Sequence, residues 1–134
     1  MMIYVDTSVA LAELLAEDRR PGDDFWNQTL VSSRLLEYEV WFRVHAGKPA
    51  RSHGEAARAL VGRVALLELV SPVLTRALEP FPKPVRTLDA LHLASTEFLR
   101  ERQPAIQLAT YDSRQATAAK AMRIALYDLD NEGT

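Results

Sequence analysis

The chain contains no cysteine. That excludes disulfides, thiolate-bound zinc and a cysteine nucleophile, and it agrees with a reducing, cytoplasmic setting. Its glycines, five in number, form no Gly-rich phosphate loop, and no serine sits in a nucleophile motif. The opening residues, MMIYVDTS, lack a basic n-region, and Asp6 interrupts their apolar run. No apolar stretch approaches the ~20 residues that a membrane helix needs. Neither a signal peptide nor a membrane partner is therefore expected. Positive charge is not in excess either: the formal net charge is −2. A protein that holds nucleic acid by charge alone is usually basic, so such binding here would need local basic patches, bound metal or charge from a partner.

What is present is the balance of an ordinary soluble domain. Of 134 residues, 48% are apolar and 25% charged, enough for one core without staples, so a single domain over 1–134 with a polar tail at 130–134 is expected. Residues 2–5 (MIYV) predict a buried strand. Asp6, Thr7 and Ser8 can cap the following helix, whose apolar stripe is Val9, Leu11, Ala12, Leu14 and Leu15. A turn spans 18–24 and a short helical piece 25–28. A strand follows at 29–32, then a Ser33-capped helix to about Ala46, stopped by Gly47 and Pro49. Ser52 with Glu55 reads as a capping box opening a helix to about Leu67, before a strand at 68–71. One or two helical turns at 73–79 lead into a loop held extended by Pro80, Pro82 and Pro84. A long helix is expected over 86–102, with Leu88, Leu91, Ala94 or Ser95, and Phe98 on one face. The strand 107–110, helix 113–122 and strand 124–129 complete the chain. Strand–helix alternation of this kind implies an α/β domain with a short central parallel sheet flanked by helices. In such sheets the ligand site lies beyond the carboxyl ends of the strands.

Acidic residues fall at those ends. Asp6 follows the first strand directly, and Asp112 comes two residues after the strand residues QLAT. Glu39 stands on a helix amid Leu35, Leu36, Val40, Trp41 and Val44. Asp89 stands between Leu88 and Leu91. An acid in an apolar helical face is costly unless it is paired or metal-bound. Four carboxylates at one place repel each other unless some keep their protons or a cation neutralises them. Oxygen-only ligands suit Mg²⁺ or Mn²⁺, and such a centre suits phosphodiester hydrolysis. Each acid also has a plainer reading. Asp6 and Asp112 can serve as caps, Glu39 can pair with Arg43 at i,i+4, and Asp89 can favour its helix dipole.

The segments around the acids add to this. MIYVDTSVALAEL, SRLLEYEVWFR, TLDALHLA and TYDSRQATAAKA, in this order and spacing, resemble the four blocks of PIN-domain proteins across essentially the whole chain. The nearest subgroup is the VapC-like toxins of toxin–antitoxin pairs. The resemblance implies a three-layer PIN fold and Mg²⁺- or Mn²⁺-dependent endoribonuclease activity on RNA. It also implies a cognate antitoxin that neutralises the toxin, and a homodimer. It maps catalysis and metal binding onto Asp6, Glu39, Asp89 and Asp112, supported by Thr7, Ser8 and Thr110. Glu39 is preferred to Glu37 because Ser33 and Arg43 then both fall in register. One departure is visible: the stretch AMRIALY lacks the Gly that often precedes the family's final strand, so the last turn is expected to differ.

Arg34, Arg43, Arg86 and Arg114 lie near the acidic blocks and are the candidates for RNA-phosphate contacts. His92 shares a helix side with Asp89 and reads as a packing or supporting residue rather than a general base. His45 and His53 read as solvated. Trp26, Trp41 and Phe42 read as core or partner surface ahead of base-stacking platforms, and adjacent Trp41 and Phe42 cannot both face one core. Two other functions compete: a PIN-fold binding or scaffold module with weak catalysis, and a phosphatase or phospho-acceptor domain. The phosphatase pattern Asp-x-Asp is broken here, since position 8 is Ser.

Overall fold

The computed structural model describes residues 1–47 and 50–130, with side chains left undescribed at 50–52. The elements run β1 (Met2–Val5), α1 (Thr7–Leu14), α2 (Asp23–Trp26), β2 (Thr29–Ser33), α3 (Arg34–Ala46) and α4 (Ala50–Val61). They continue with β3 (Ala65–Leu67), α5 (Ser71–Ala77), α6 (Thr87–Arg100), β4 (Gln107–Ala109), α7 (Ser113–Ala121) and β5 (Ala125–Leu126). The five strands form one parallel sheet in the order β3-β2-β1-β4-β5. Among the described residues no helix is long and apolar enough to cross a membrane.

Side chains alternate across the pleat, which builds two cores. Ile3, Val5, Leu30 and Ala109 face one side, against Val9, Phe25, Leu36, Val40, Val44 and Leu60 of α1–α4. Tyr4, Val31 and Leu108 face the other, against Leu93 of α6 and Ala118 and Ala119 of α7. The result is three layers, helix–sheet–helix. β1 lies in the middle, with Ile3, Tyr4 and Val5 fully buried, each burial contributing roughly 1.5–3 kcal/mol. Because the strands are parallel, the residues after β1 and β4 emerge at one edge. The Asp6 N–H donates to Ala109 O at 3.0 Å just beyond the ladder, and the Ser32 hydroxyl donates to Val5 O at 2.7 Å.

Three expectations are corrected. The helix expected to reach Leu67 stops at Val61, where Gly62 and Arg63 turn the chain. The strand expected at 68–71 lies instead at Ala65–Leu67, because pairing with β2 sets its register (Val31 to Ala65, Ser33 to Leu67). Pro72 then starts α5 at Ser71, being suited to the first helical turn. On α6 the expected stripe is rotated. Leu88 is 44% exposed, while Ala90, His92, Leu93, Ala94, Ser95 and Thr96 are buried. The buried polar groups there are hydrogen-bonded: Ser95 to Leu91 O and Thr96 to His92 O, each at 2.8 Å. The expected cap Ser52 and stop residue Pro49 lie outside the residues so described, whereas Gly47 is the C-cap of α3.

The last turn is made without glycine. Arg123 takes φ 62, its N–H donates to Lys120 O, and the Ile124 N–H donates to Ala119 O. This is a Schellman end with arginine at the left-handed position. Arg100 of α6 supports it by donating to Met122 O and Arg123 O at 3.1 and 3.0 Å. A left-handed residue with a Cβ costs roughly 1–2 kcal/mol, partly offset by the greater unfolded-state freedom of glycine. Arg123→Gly is therefore expected to stabilise the fold by up to about 1 kcal/mol, read from urea unfolding midpoints at unchanged slope. A fall in midpoint would mean that the turn is unstrained.

Candidate acidic active site

Asp6 is the N-cap of α1, with extended backbone at φ −74, ψ 149. Only 4% exposed, it meets different partners on its two oxygens. Its Oδ2 accepts from the Ser8 N–H (3.2 Å), the Ser8 hydroxyl (2.5 Å) and the Thr110 hydroxyl (2.9 Å). Its Oδ1 points at the side chain of Gln115. With the amide oriented to satisfy its neighbours, the Gln115 nitrogen donates to Asp6 Oδ1 at 3.0 Å and to Asp89 Oδ1 at 3.3 Å. A fully buried glutamine thus bridges two carboxylates contributed by distant helices.

Asp89, in the first turn of α6, is half-buried, and its Oδ2 has no hydrogen-bond partner among the described residues. Burial, then the charges of Asp112 and Asp6, raise its pKa above the ordinary 3.8. A backbone hydrogen bond at Arg86 and the charge of His92 pull the other way. Asp112 caps α7, its Oδ1 accepting from the N–H groups of Arg114 (2.9 Å) and Gln115 (3.2 Å). Its plain role as a cap and its place near Asp89 hold together.

Glu39 reaches the same centre from α3. Its Oε1 accepts from the Thr7 hydroxyl at 2.6 Å and from His92 Nε2 at 2.7 Å. It is thus committed to these groups rather than to Arg43. His92 is fully enclosed. Its Nδ1 lies 2.8 Å from the Tyr4 hydroxyl, and its Nε2 lies 3.1 Å from the Thr7 hydroxyl and 3.9 Å from Asp6 Oδ1. Burial pulls its pKa down, but the Tyr4 phenol, Glu39 and Asp6 outweigh it and carry the ring up to about 10. The imidazolium fixes Glu39 and offsets part of the carboxylate charge. Glu37 points elsewhere: it pairs with Arg34 at 3.2 Å.

The chain therefore gathers Asp6, Glu39, Asp89 and Asp112 with Thr7, Ser8 and Thr110 at the carboxyl edge of the sheet. The four arginines separate. Arg34 is tied to Glu37 and Glu68. Arg86 lines a cavity of about 770 Å³ between α5, the proline-rich loop and α6. Arg43 lines a groove beside Ser8 and Tyr111. Arg114 is exposed at the start of α7. Trp26 is buried, Trp41 packs partly into the first core, and Phe42 is 66% exposed. His45 is exposed and stacks on Trp41. Gln115 is the residue that sequence reasoning passed over. Its signal was available: Asp112-x-x-Gln115 is the spacing of a capping box, yet the glutamine turns to the two aspartates.

The donor set fits a hard divalent cation. Its carboxylates offer only oxygen, and they include a buried carboxylate oxygen without a partner among the described residues, set among like charges. Among the described residues no three acidic or histidine side chains stand close enough to enclose an ion by themselves. Mg²⁺ is commonly held by one or two carboxylates plus waters, and Asp6 and Asp89 are two carboxylates that meet one side chain, Gln115.

A short parallel sheet between helical layers, with acids gathered at its carboxyl edge, defines an α/β domain of the kind whose ligand sites lie at that edge. The PIN domain family matches residues 3–121, and the chain belongs to that family. It is similar over nearly its whole length to three proteins of Mycobacterium tuberculosis. Ribonuclease VapC46 is 35% identical over 131 residues, covering 92% of this chain and 95% of that protein. Ribonuclease VapC35 is 28% identical over 131 residues, covering 93% and 95%. Ribonuclease VapC47 is 30% identical over 125 residues, covering 84% and 86%.

Proposed function

We propose that this protein is a divalent-metal-dependent endoribonuclease, the toxin of a toxin–antitoxin pair, acting in the cytoplasm as a homodimer and neutralised by a cognate antitoxin. The observation that carries the reading is the Asp6–Gln115–Asp89 bridge at the carboxyl edge of the sheet, with Asp89 Oδ2 left unpartnered. The similarity to ribonucleases named VapC supports the substrate class.

Asp6 and Asp89 would hold Mg²⁺ or Mn²⁺, with Glu39 and Asp112 as further ligands or as groups orienting water. When bound, the ion supplies Lewis-acid polarisation of the phosphate and stabilises charge on the leaving oxygen. The chain's own residues preset the rest. Ser8 and Thr110 donate to one oxygen of Asp6, and the other turns toward Gln115 and Asp89. Thr7 and His92 lock Glu39 in one rotamer. Gln115 keeps Asp6 and Asp89 at a fixed separation, and the cap on Asp112 fixes that carboxylate against α7.

The test is cleavage of single-stranded RNA by the purified protein. Cutting is expected with Mn²⁺ or Mg²⁺ and none with EDTA. RNA bound but left whole under both metals would point instead to a binding module.

A further inference from the structure

Between α1, the turn after it and α3 lies a groove of about 550 Å³, within the range of small-ligand sites. It adjoins the acidic centre through two residues, Ser8 and Tyr111. Ser8 holds Asp6 by its hydroxyl and accepts the Tyr111 backbone N–H at 3.0 Å. Tyr111 stands between Thr110 and Asp112. The remaining wall is chemically different from the acids. The Arg19 guanidinium lies 4.9 Å from the centre of the Tyr111 ring. Its ion pair with Asp130, at 3.3 Å, joins side chains 65% and 75% exposed, a pair that exchanges readily with other anions. Arg43 is exposed one helical turn beyond Glu39, which Thr7 and His92 engage instead. Leu11 and Leu15 add apolar wall. Glu17 and Asp18, also in the groove, balance the two arginines. A phosphate thus meets a near-neutral surface here, rather than the all-acid one beside it.

We infer that this groove seats one unpaired nucleotide of a single-stranded RNA, adjoining the phosphodiester presented to the carboxylates. The base stacks on the platform made by Arg19 and Tyr111, since bases stack on both aromatic rings and guanidinium planes. Arg43 takes the neighbouring phosphate as a charge-assisted hydrogen bond donor. The groove's chemistry stands on its own residues. Only the position of the reacting phosphate rests on the nuclease reading above. Seated this way, a nucleotide sets which linkage reaches Asp6 and Asp89, so the groove positions the strand and reads the base beside the cut.

The test is binding of a short fluorescein-labelled single-stranded RNA at low salt in EDTA, where no turnover is expected. The variants are Arg43→Gln, Tyr111→Leu and Arg19→Gln. Arg102→Gln, in the turn that follows the far end of α6 from Asp89, serves as control. Arg43→Gln should weaken binding about tenfold and reduce the salt slope by about one. Tyr111→Leu should weaken it about tenfold, a loss within the range for one stacked base. An abasic strand should cost the wild type affinity but add little to the Tyr111→Leu loss. Arg102→Gln should bind as the wild type does. Unchanged binding in all groove variants overturns the assignment, and if the wild type still cuts RNA the nuclease reading survives it. The expected losses without any cleavage would keep the groove and remove the nuclease. Variants that bind RNA normally but lose a protein partner would give the groove to that partner and overturn the assignment.

Discussion

Asp6→Asn and Asp89→Asn are each expected to lower RNA cleavage in Mn²⁺ by at least about a hundredfold, the upper end of what even outer partners of metal ligands are worth. They should do so without unfolding the protein. Asparagine is as good an N-cap as aspartate, so in Asp6→Asn the amide oxygen can keep the hydrogen bonds from Ser8 and Thr110. The new NH₂ faces Gln115, whose amide can turn over and accept. Asp89→Asn goes further. It removes a charge that burial and the neighbouring Asp112 and Asp6 oppose, and it turns the unpartnered Oδ2 into a neutral amide group. That variant should melt at the same temperature as the metal-free wild type, or a few degrees higher. Loss of activity with stability gained is the pattern of a centre built for function at the expense of the fold. Single-turnover cleavage and thermal melts on the same samples test this. Wild-type cleavage by both variants would remove these aspartates from the centre. A large fall in melting temperature for Asp89→Asn would mean that its charge is paired by something other than metal.

The second large effect is metal-linked stability. Asp89 has a folded-state pKa above its unfolded value. The stability it contributes is therefore fully present when it is protonated, below the unfolded value near 3.8. It is lost as pH rises through the raised folded pKa. In EDTA the wild type should fall progressively below Asp89→Asn in melting temperature as pH climbs through that window, with the gap widest at neutral pH. A divalent cation reverses this. At 100 times its dissociation constant it adds about 2.7 kcal/mol, roughly 10 °C in a chain of this size. The gain should shrink toward low pH, where protons compete for the same oxygens. Mn²⁺ titrations followed by calorimetry at several pH values measure it. A wild type indifferent to Mn²⁺ at neutral pH would count against a metal at these carboxylates.

Most of the fold was legible because its signals are local. The apolar run of β1 ends at an acid that caps a helix, and the Ser33 cap and Gly47 stop bound α3. What misled were places where a local pattern has two solutions. The run from Val64 to Val70 is apolar enough for strand pairing in more than one register, and contact with β2 selects Ala65–Leu67. On α6 the leucine spacing suggested one stripe, but the buried face takes in His92, Ser95 and Thr96: the two hydroxyls bond back to carbonyls one turn earlier on the same helix, and His92 meets Tyr4 only in the folded chain.

The sequence by itself determined which residues carry charge at the strand ends, and hence that Asp6 and Asp112 share an edge once the strands run parallel. Periodicity and caps are properties of neighbours in the chain, and they survive without tertiary contacts. Only the tertiary structure decided that Glu39 faces Thr7 and His92 while Glu37 faces Arg34. Only it placed Gln115 between Asp6 and Asp89, and drew Arg43 and Tyr111 to one groove while Arg86 went to another. Those outcomes depend on distances between residues up to about a hundred positions apart. Such distances are set by the packing of layers and the cost of leaving buried polar groups unpaired, not by anything that spacing along the chain can encode.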